Sequence, residues 1–103
     1  MKISEFQELI EKIYFERDQS RGSDATFRWF VEEVGELARA LSGRGGNDPE
    51  SAALNLREEF ADVLAWLSTL ASIHGVDLEA AARAKYATGC PKCSTTPCSC
   101  RPA

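Results

Sequence analysis

Two stretches of one design constrain this chain more than anything else in it: FVEEVGELARAL at residues 30–41 and EEFADVLAWL at residues 58–67. At about 100° per residue, the first helix lays Phe27, Phe30, Val34, Leu37 and Leu41 along one apolar stripe, the period of an amphipathic helix. The second lays Leu56, Phe60, Val63, Leu67 and Leu70 along another. Each stripe is bordered by an acidic i,i+3 pair, Glu33 with Glu36 and Glu59 with Asp62, while Glu32 and Glu58 lie further out. On one helix this would read as a solvated flank. The same register repeated on two helices asks for more. If the stripes pack together, the four carboxylates converge, and partial burial sharpens their repulsion until a cation relieves it.

The rest of the chain is also helical in pattern. Ser4 and Gln7 have capping-box spacing ahead of Phe6, Leu9, Ile10, Ile13 and Tyr14, which predicts a helix over about residues 4–18. DQSRGSD reads as a polar turn, with Ser23 or Asp24 capping a second helix to Leu41. SGRGGNDPE is a loop, and Pro49 restarts a helix that runs to His74. Gly75 stops it, Asp77 caps a short fourth helix, and Gly89 ends that one. Nothing reads as a strand. With 103 residues the expectation is one all-α domain, a four-helix bundle over 1–88 followed by a cysteine-rich tail over 89–103. Because a chain of this size has a limited core, an oligomer is expected.

The hard oxygen donors suit magnesium, which retains waters for a phosphate substrate to displace. A di-iron carboxylate bundle wants Glu-x-x-His on its helices. The single histidine, His74, lies at a helix end, where it favours the dipole and is assigned no chemistry.

These residues carry a resemblance. EEVGE, 22 intervening residues and then EFAD resemble the EExxE…ExxD signature of MazG-like, all-α nucleoside triphosphate pyrophosphohydrolases, with similarity over roughly residues 5–88. The resemblance implies magnesium-dependent hydrolysis of a nucleoside triphosphate, often a deoxynucleotide or a damaged one, to the monophosphate and pyrophosphate. Manganese would be the substitute metal, the role would be house-cleaning of nucleotide pools, and the assembly would be a dimer or tetramer. It implies Glu33, Glu36, Glu59 and Asp62 as catalytic metal ligands, Glu32 as a residue orienting water, and Lys85 as a phosphate contact. Arg83 and Arg57 are possible helpers. Where the family often carries an asparagine and then an arginine beyond that lysine, this chain has Gly89 and Lys92. Trp66, one turn past Asp62, is a base-stacking residue or a core residue, and Trp29, Phe15 and Tyr14 read as core or interface.

The tail, GCPKCSTTPCSC, pairs a C-x2-C with a C-x-C. Cys90, Cys93, Cys98 and Cys100 suit a closed structural zinc site, with reversible disulfides, a disordered thiol tail or an iron–sulfur cluster as alternatives. All four cysteines lie in the last 14 residues, and the N-terminus lacks the apolar run of a secretory signal, so the chain reads as cytoplasmic. No segment has the length of a membrane span. A net charge of −4 argues against a broad nucleic-acid surface. Two other functions fit the same residues. One is a non-catalytic dimerisation module whose zinc tail recognises a partner; the other is a hydrolase of a different pyrophosphate-containing metabolite.

Overall fold

The computed structural model describes residues 1–102, and every regular element in them is helical. Helix α1 spans Ile3–Leu41, α2 spans Pro49–Ile73 and α3 spans Leu78–Tyr86. Three helices therefore stand where the sequence period predicts four. The difference is local. The expected turn DQSRGSD stays helical on both sides, and the backbone leaves the helix only at Gly22 (φ 78°, ψ 176°). That conformation is open essentially to glycine alone, so one residue redirects the chain where a whole turn was expected.

The break is braced by buried polar groups. Thr26, fully buried, donates its hydroxyl to the Gly22 carbonyl at 2.6 Å. Arg21 holds one oxygen of buried Asp18 at 3.0 Å, and Thr69 of α2 donates to the other at 3.1 Å. Both oxygens of that carboxylate are thereby satisfied, which is what its burial requires. Beyond the break α1 runs antiparallel to α2. Ser23 meets His74 at 2.7 Å, Trp29 stacks on Trp66, and Glu33 lies with Glu59 and Asp62.

The N-terminal arm of α1 is tied to α3. The expected capping box of Ser4 and Gln7 is not used: Lys2 is the N-cap residue, and its N–H goes to Glu5 at 2.9 Å. Gln7 is buried, and its amide oxygen instead accepts the N–H of Leu78 at 3.0 Å, while its nitrogen donates to the Val76 carbonyl at 2.8 Å. The first N–H groups of a helix lack partners of their own, and Gln7 supplies one across the fold. Ser4 donates through both N–H and hydroxyl to Glu79. The expected Ser23 or Asp24 cap is not formed, since α1 runs on past Gly22 and Ser23 meets His74 instead, while the restart at Pro49 and the Asp77 cap are as the sequence predicts. Asp48 accepts from Ser51 N–H at 2.9 Å with Pro49 in the first turn of α2, and Asp77 accepts from Ala80 N–H at 3.1 Å.

The predicted core is a second correction. Among the described residues the buried apolar side chains are Ile10, Ala40 and Ala71. No member of the two apolar stripes is buried: Phe27 and Phe60 are each 54% exposed, and Leu41 is 62% exposed. Trp29, Tyr14 and Phe15 are exposed as well, so they do not belong to a core within the chain. The helices meet along the edge that carries Trp29 and Glu33 on α1 and Glu59, Asp62 and Trp66 on α2, which leaves Phe27, Val34 and Leu41 of α1 and Phe60 and Leu67 of α2 exposed and the other stripe members half-buried. Two long helices and a short one cannot cover both faces. No described helix is long and apolar enough to cross a membrane.

Candidate metal centre

Antiparallel packing of α1 on α2 brings one carboxylate oxygen each of Glu33, Glu59 and Asp62 within 4.8 Å of one another. Glu33 and Glu59 are half-buried and Asp62 is exposed. Oxygen Oε2 of Glu59 is shut off from solvent and has no hydrogen-bond partner. Leaving a buried carboxylate oxygen unsatisfied is costly, and doing so beside two other carboxylates is more so. Burial, followed by the charges of Asp62, Glu59, Glu36 and Glu32, holds the Glu33 carboxyl above its ordinary range. Burial and the charges of Asp62 and Glu36 do the same to Glu59.

Such a group fits a hard divalent cation. It offers oxygen donors alone, as magnesium or manganese requires, and it contains a donor atom that nothing in the protein satisfies. His74 is engaged with Ser23, so no imidazole shifts the donor set toward softer metals. Glu36 is exposed and lies close enough to raise both Glu33 and Glu59, but outside the 4.8 Å group. Three of the four expected ligands thus converge, with the fourth at the rim. Glu32 is exposed and lines a shallow hollow with Ala25, Arg28 and Trp29.

Asp62 also borders a cleft of about 250 Å³ whose walls include Tyr14, Arg17, Asp18, Arg21, Trp66 and Thr69. The Trp66 ring stacks on Trp29 at 6.0 Å and 13°, and the Arg21 guanidinium lies 4.8 Å from its centre. This joins Trp66 to the cleft rather than to a core. Arg21 escapes a reading that treats residues 18–24 as a turn, and Arg17 and Asp18, at the end of the predicted first helix, carry no role in it. Continuing the helical register of Ile10 and Tyr14 through Arg17 to Arg21 would have placed them on one face.

None of the cations expected to help bonds to the carboxylate group. Lys85 is exposed near the end of α3, its amine 5.8 Å from the Tyr86 ring, and no contact links it to the carboxylates. Arg83 pairs with Glu79 at 3.6 Å, and Arg57 is exposed.

A second group of ligating atoms lies in the tail, where the sulfurs of Cys90, Cys93, Cys98 and Cys100 all fall within 4.8 Å of one another. Hydrogen bonds from Thr95 and Ser99 lower Cys93 to about 5, and contact with the sulfurs of Cys98, Cys93 and Cys90 pushes Cys100 up to about 11.

Against known proteins, the family model for the MazG nucleotide pyrophosphohydrolase domain matches residues 21–94. The match takes in both acidic stretches, the cleft residues of α2 and the first two cysteines. No curated protein matches the chain.

Proposed function

From the premise that the chain belongs to the MazG nucleotide pyrophosphohydrolase family, we propose that it is a magnesium-dependent enzyme hydrolysing (deoxy)nucleoside triphosphates to monophosphate and pyrophosphate. The observation that carries the reading is the unpartnered, buried Oε2 of Glu59 within the Glu33–Glu59–Asp62 group. A dimerisation bundle gains nothing from such crowding. A phosphate-handling site needs it.

In this reading Glu33, Glu59 and Asp62 hold magnesium, and Glu36 completes the set from the rim of the group. Magnesium bound there supplies Lewis-acid charge to phosphate oxygens and lowers the pKa of a coordinated water. The chain's own contribution is positional. Water adds at the α-phosphorus and pyrophosphate departs, with Glu32 orienting the incoming water. The nucleoside occupies the cleft beside Trp66, since Asp62 borders both the cleft and the carboxylate group. At about 250 Å³ the cleft lies below the usual ~300–1,000 Å³ of a ligand pocket, room for a nucleoside portion whose phosphates lead out past Asp62. Arg21, fixed by Asp18, balances charge on the nucleotide from the cleft wall, and Lys85 serves as an outer phosphate contact.

The exposed stripes suit a second copy of the chain, giving a dimer or tetramer in which Phe27, Val34, Leu41, Phe60 and Leu67 become core. The test is a panel of nucleoside triphosphates with magnesium, scored separately for pyrophosphate and orthophosphate. Pyrophosphate with monophosphate is expected. Orthophosphate with diphosphate would place attack at the γ-phosphorus and overturn the reading.

A further inference from the structure

The chain beyond α3 has no hydrophobic reason to be ordered. None of residues 87–102 is buried. Apart from Gly89 N–H donating to the Tyr86 carbonyl at 3.0 Å, residues 89–100 form their hydrogen bonds among themselves. Fixing a backbone costs conformational entropy at every residue, and no apolar burial here offsets it. Yet four sulfurs meet.

Their spacing says what closes the segment. Cys90 and Cys100 are 3.8 Å apart and Cys93 and Cys98 are 3.9 Å apart, far beyond a disulfide bond, and all four thiols are free. Four sulfurs tetrahedrally placed about 2.3 Å from one zinc ion are separated by edges of about 3.8 Å. A cluster of several irons would spread its thiolates over different metal atoms, and a group within 4.8 Å leaves room for one.

The backbone is shaped to the same end. Ser94, directly after the C-x2-C, has φ 59°, and its N–H donates to the Cys90 carbonyl while Cys90 N–H donates to the Thr95 carbonyl at 3.1 Å. Gly89 enters this turn at φ 104°, where a Cβ would lie 2.7 Å from the Thr95 carbonyl oxygen. Backbone N–H groups of Ser99 and Cys100 donate to the sulfurs of Cys93 and Cys98, each at 3.3 Å. Donors of this kind steady negative sulfur.

We propose that Cys90, Cys93, Cys98 and Cys100 bind one zinc ion in a closed tetrahedral thiolate site that folds residues 89–102. Binding holds all four sulfurs as thiolates, releases to solvent the protons of those still protonated, and leaves no coordination position open for a substrate. The site is structural, and it is independent of the carboxylate group on α1 and α2.

Full-length protein purified without chelator should carry one zinc per chain by elemental analysis, and its thiols should react with a thiol reagent only after a chelator is added. Cobalt exchanged into the unmutated chain should give intense tetrahedral d–d bands and sulfur-to-cobalt charge transfer, a readout that depends on no variant. Cys93→Ser should lose the zinc while the helical circular dichroism is unchanged, and Glu59→Gln should keep it. Less than about half an equivalent of zinc, iron in its place, or zinc retained by Cys93→Ser would overturn the proposal.

Discussion

The carboxylate group and the thiolate group are opposite solutions to the same problem of gathering like-charged ligands. Glu33, Glu59 and Asp62 come from two helices that pack on one another through other residues, so their convergence is imposed by the scaffold and strains it. The four cysteines come from one short segment with no buried side chain, so their convergence is the only fold that segment has. If both sites fill as proposed, a cation in the first region would relieve a structure that already stands, and in the second it would make one. Removing the ligand should therefore have different consequences in the two places. Glu59→Gln should leave a folded chain with its zinc and lower turnover by about 10³-fold or more, the several kcal/mol that a metal contributes to phosphoryl chemistry. The same variant should lose the rise in melting temperature that magnesium gives the unmutated protein, about 2.7 kcal/mol of stabilisation when the ion is at one hundred times its Kd. Near-normal turnover, or an unchanged magnesium response, would show that Glu59 is not a ligand.

The scaffold's share of this contrast can be tested at a distance from both groups. Gly22 sets the angle at which the second arm of α1 meets α2, and it does so at φ 78°, ψ 176° with nothing within 4 Å of where a Cβ would stand. Gly22→Ala therefore meets no clash, only backbone strain, and should cost about 1–3 kcal/mol. At roughly 4–8 °C per kcal/mol the helical transition should melt several degrees lower, and zinc content should not change. An unchanged melting temperature would mean that the arm's placement is set by packing and that the break is incidental.

What the sequence made legible, and what it hid, follows the same division. Helix period, the restart at Pro49, the Asp77 cap and the pairing of the acidic stretches depend on near neighbours, and these were readable. The apolar stripes of α1 and α2 were equally visible, but period alone says that a face is apolar, not which surface covers it. In the single chain the acidic edges face each other, and the stripes are only partly covered, with Phe27, Val34, Leu41, Phe60 and Leu67 left exposed. Gln7 was misassigned for a related reason: its role as acceptor for Leu78 depends on a residue 71 positions away. Asp18 and Arg21 were hidden by Gly22, whose presence suggests a turn of several residues where the chain spends only one. The role of Lys85 stays a matter of resemblance, since it makes no contact with the acidic group.

The smallest effect separates strain from mere proximity. Glu33 and Glu59 are held above their ordinary value of 4.5 by burial first and neighbouring charge second. A carboxyl raised in the folded state contributes stability that is fully present below its unfolded pKa and is lost as pH rises through the folded value. Asp48, lowered by its hydrogen bonds with Ser51, acts in the opposite sense, with stability present above its unfolded pKa and lost as pH falls. Comparing the unmutated protein with Glu33→Gln cancels Asp48 and every other shared group. Without magnesium, the variant should melt higher than the unmutated protein near neutral pH, and the gap should close as pH falls toward about 4.5. With saturating magnesium the order should invert, because the ion stabilises only the chain that retains the carboxylate. A gap independent of pH would mean that Glu33 acts on stability through its packing, and that the crowding of charge on α1 and α2 is too well solvated to call for a cation.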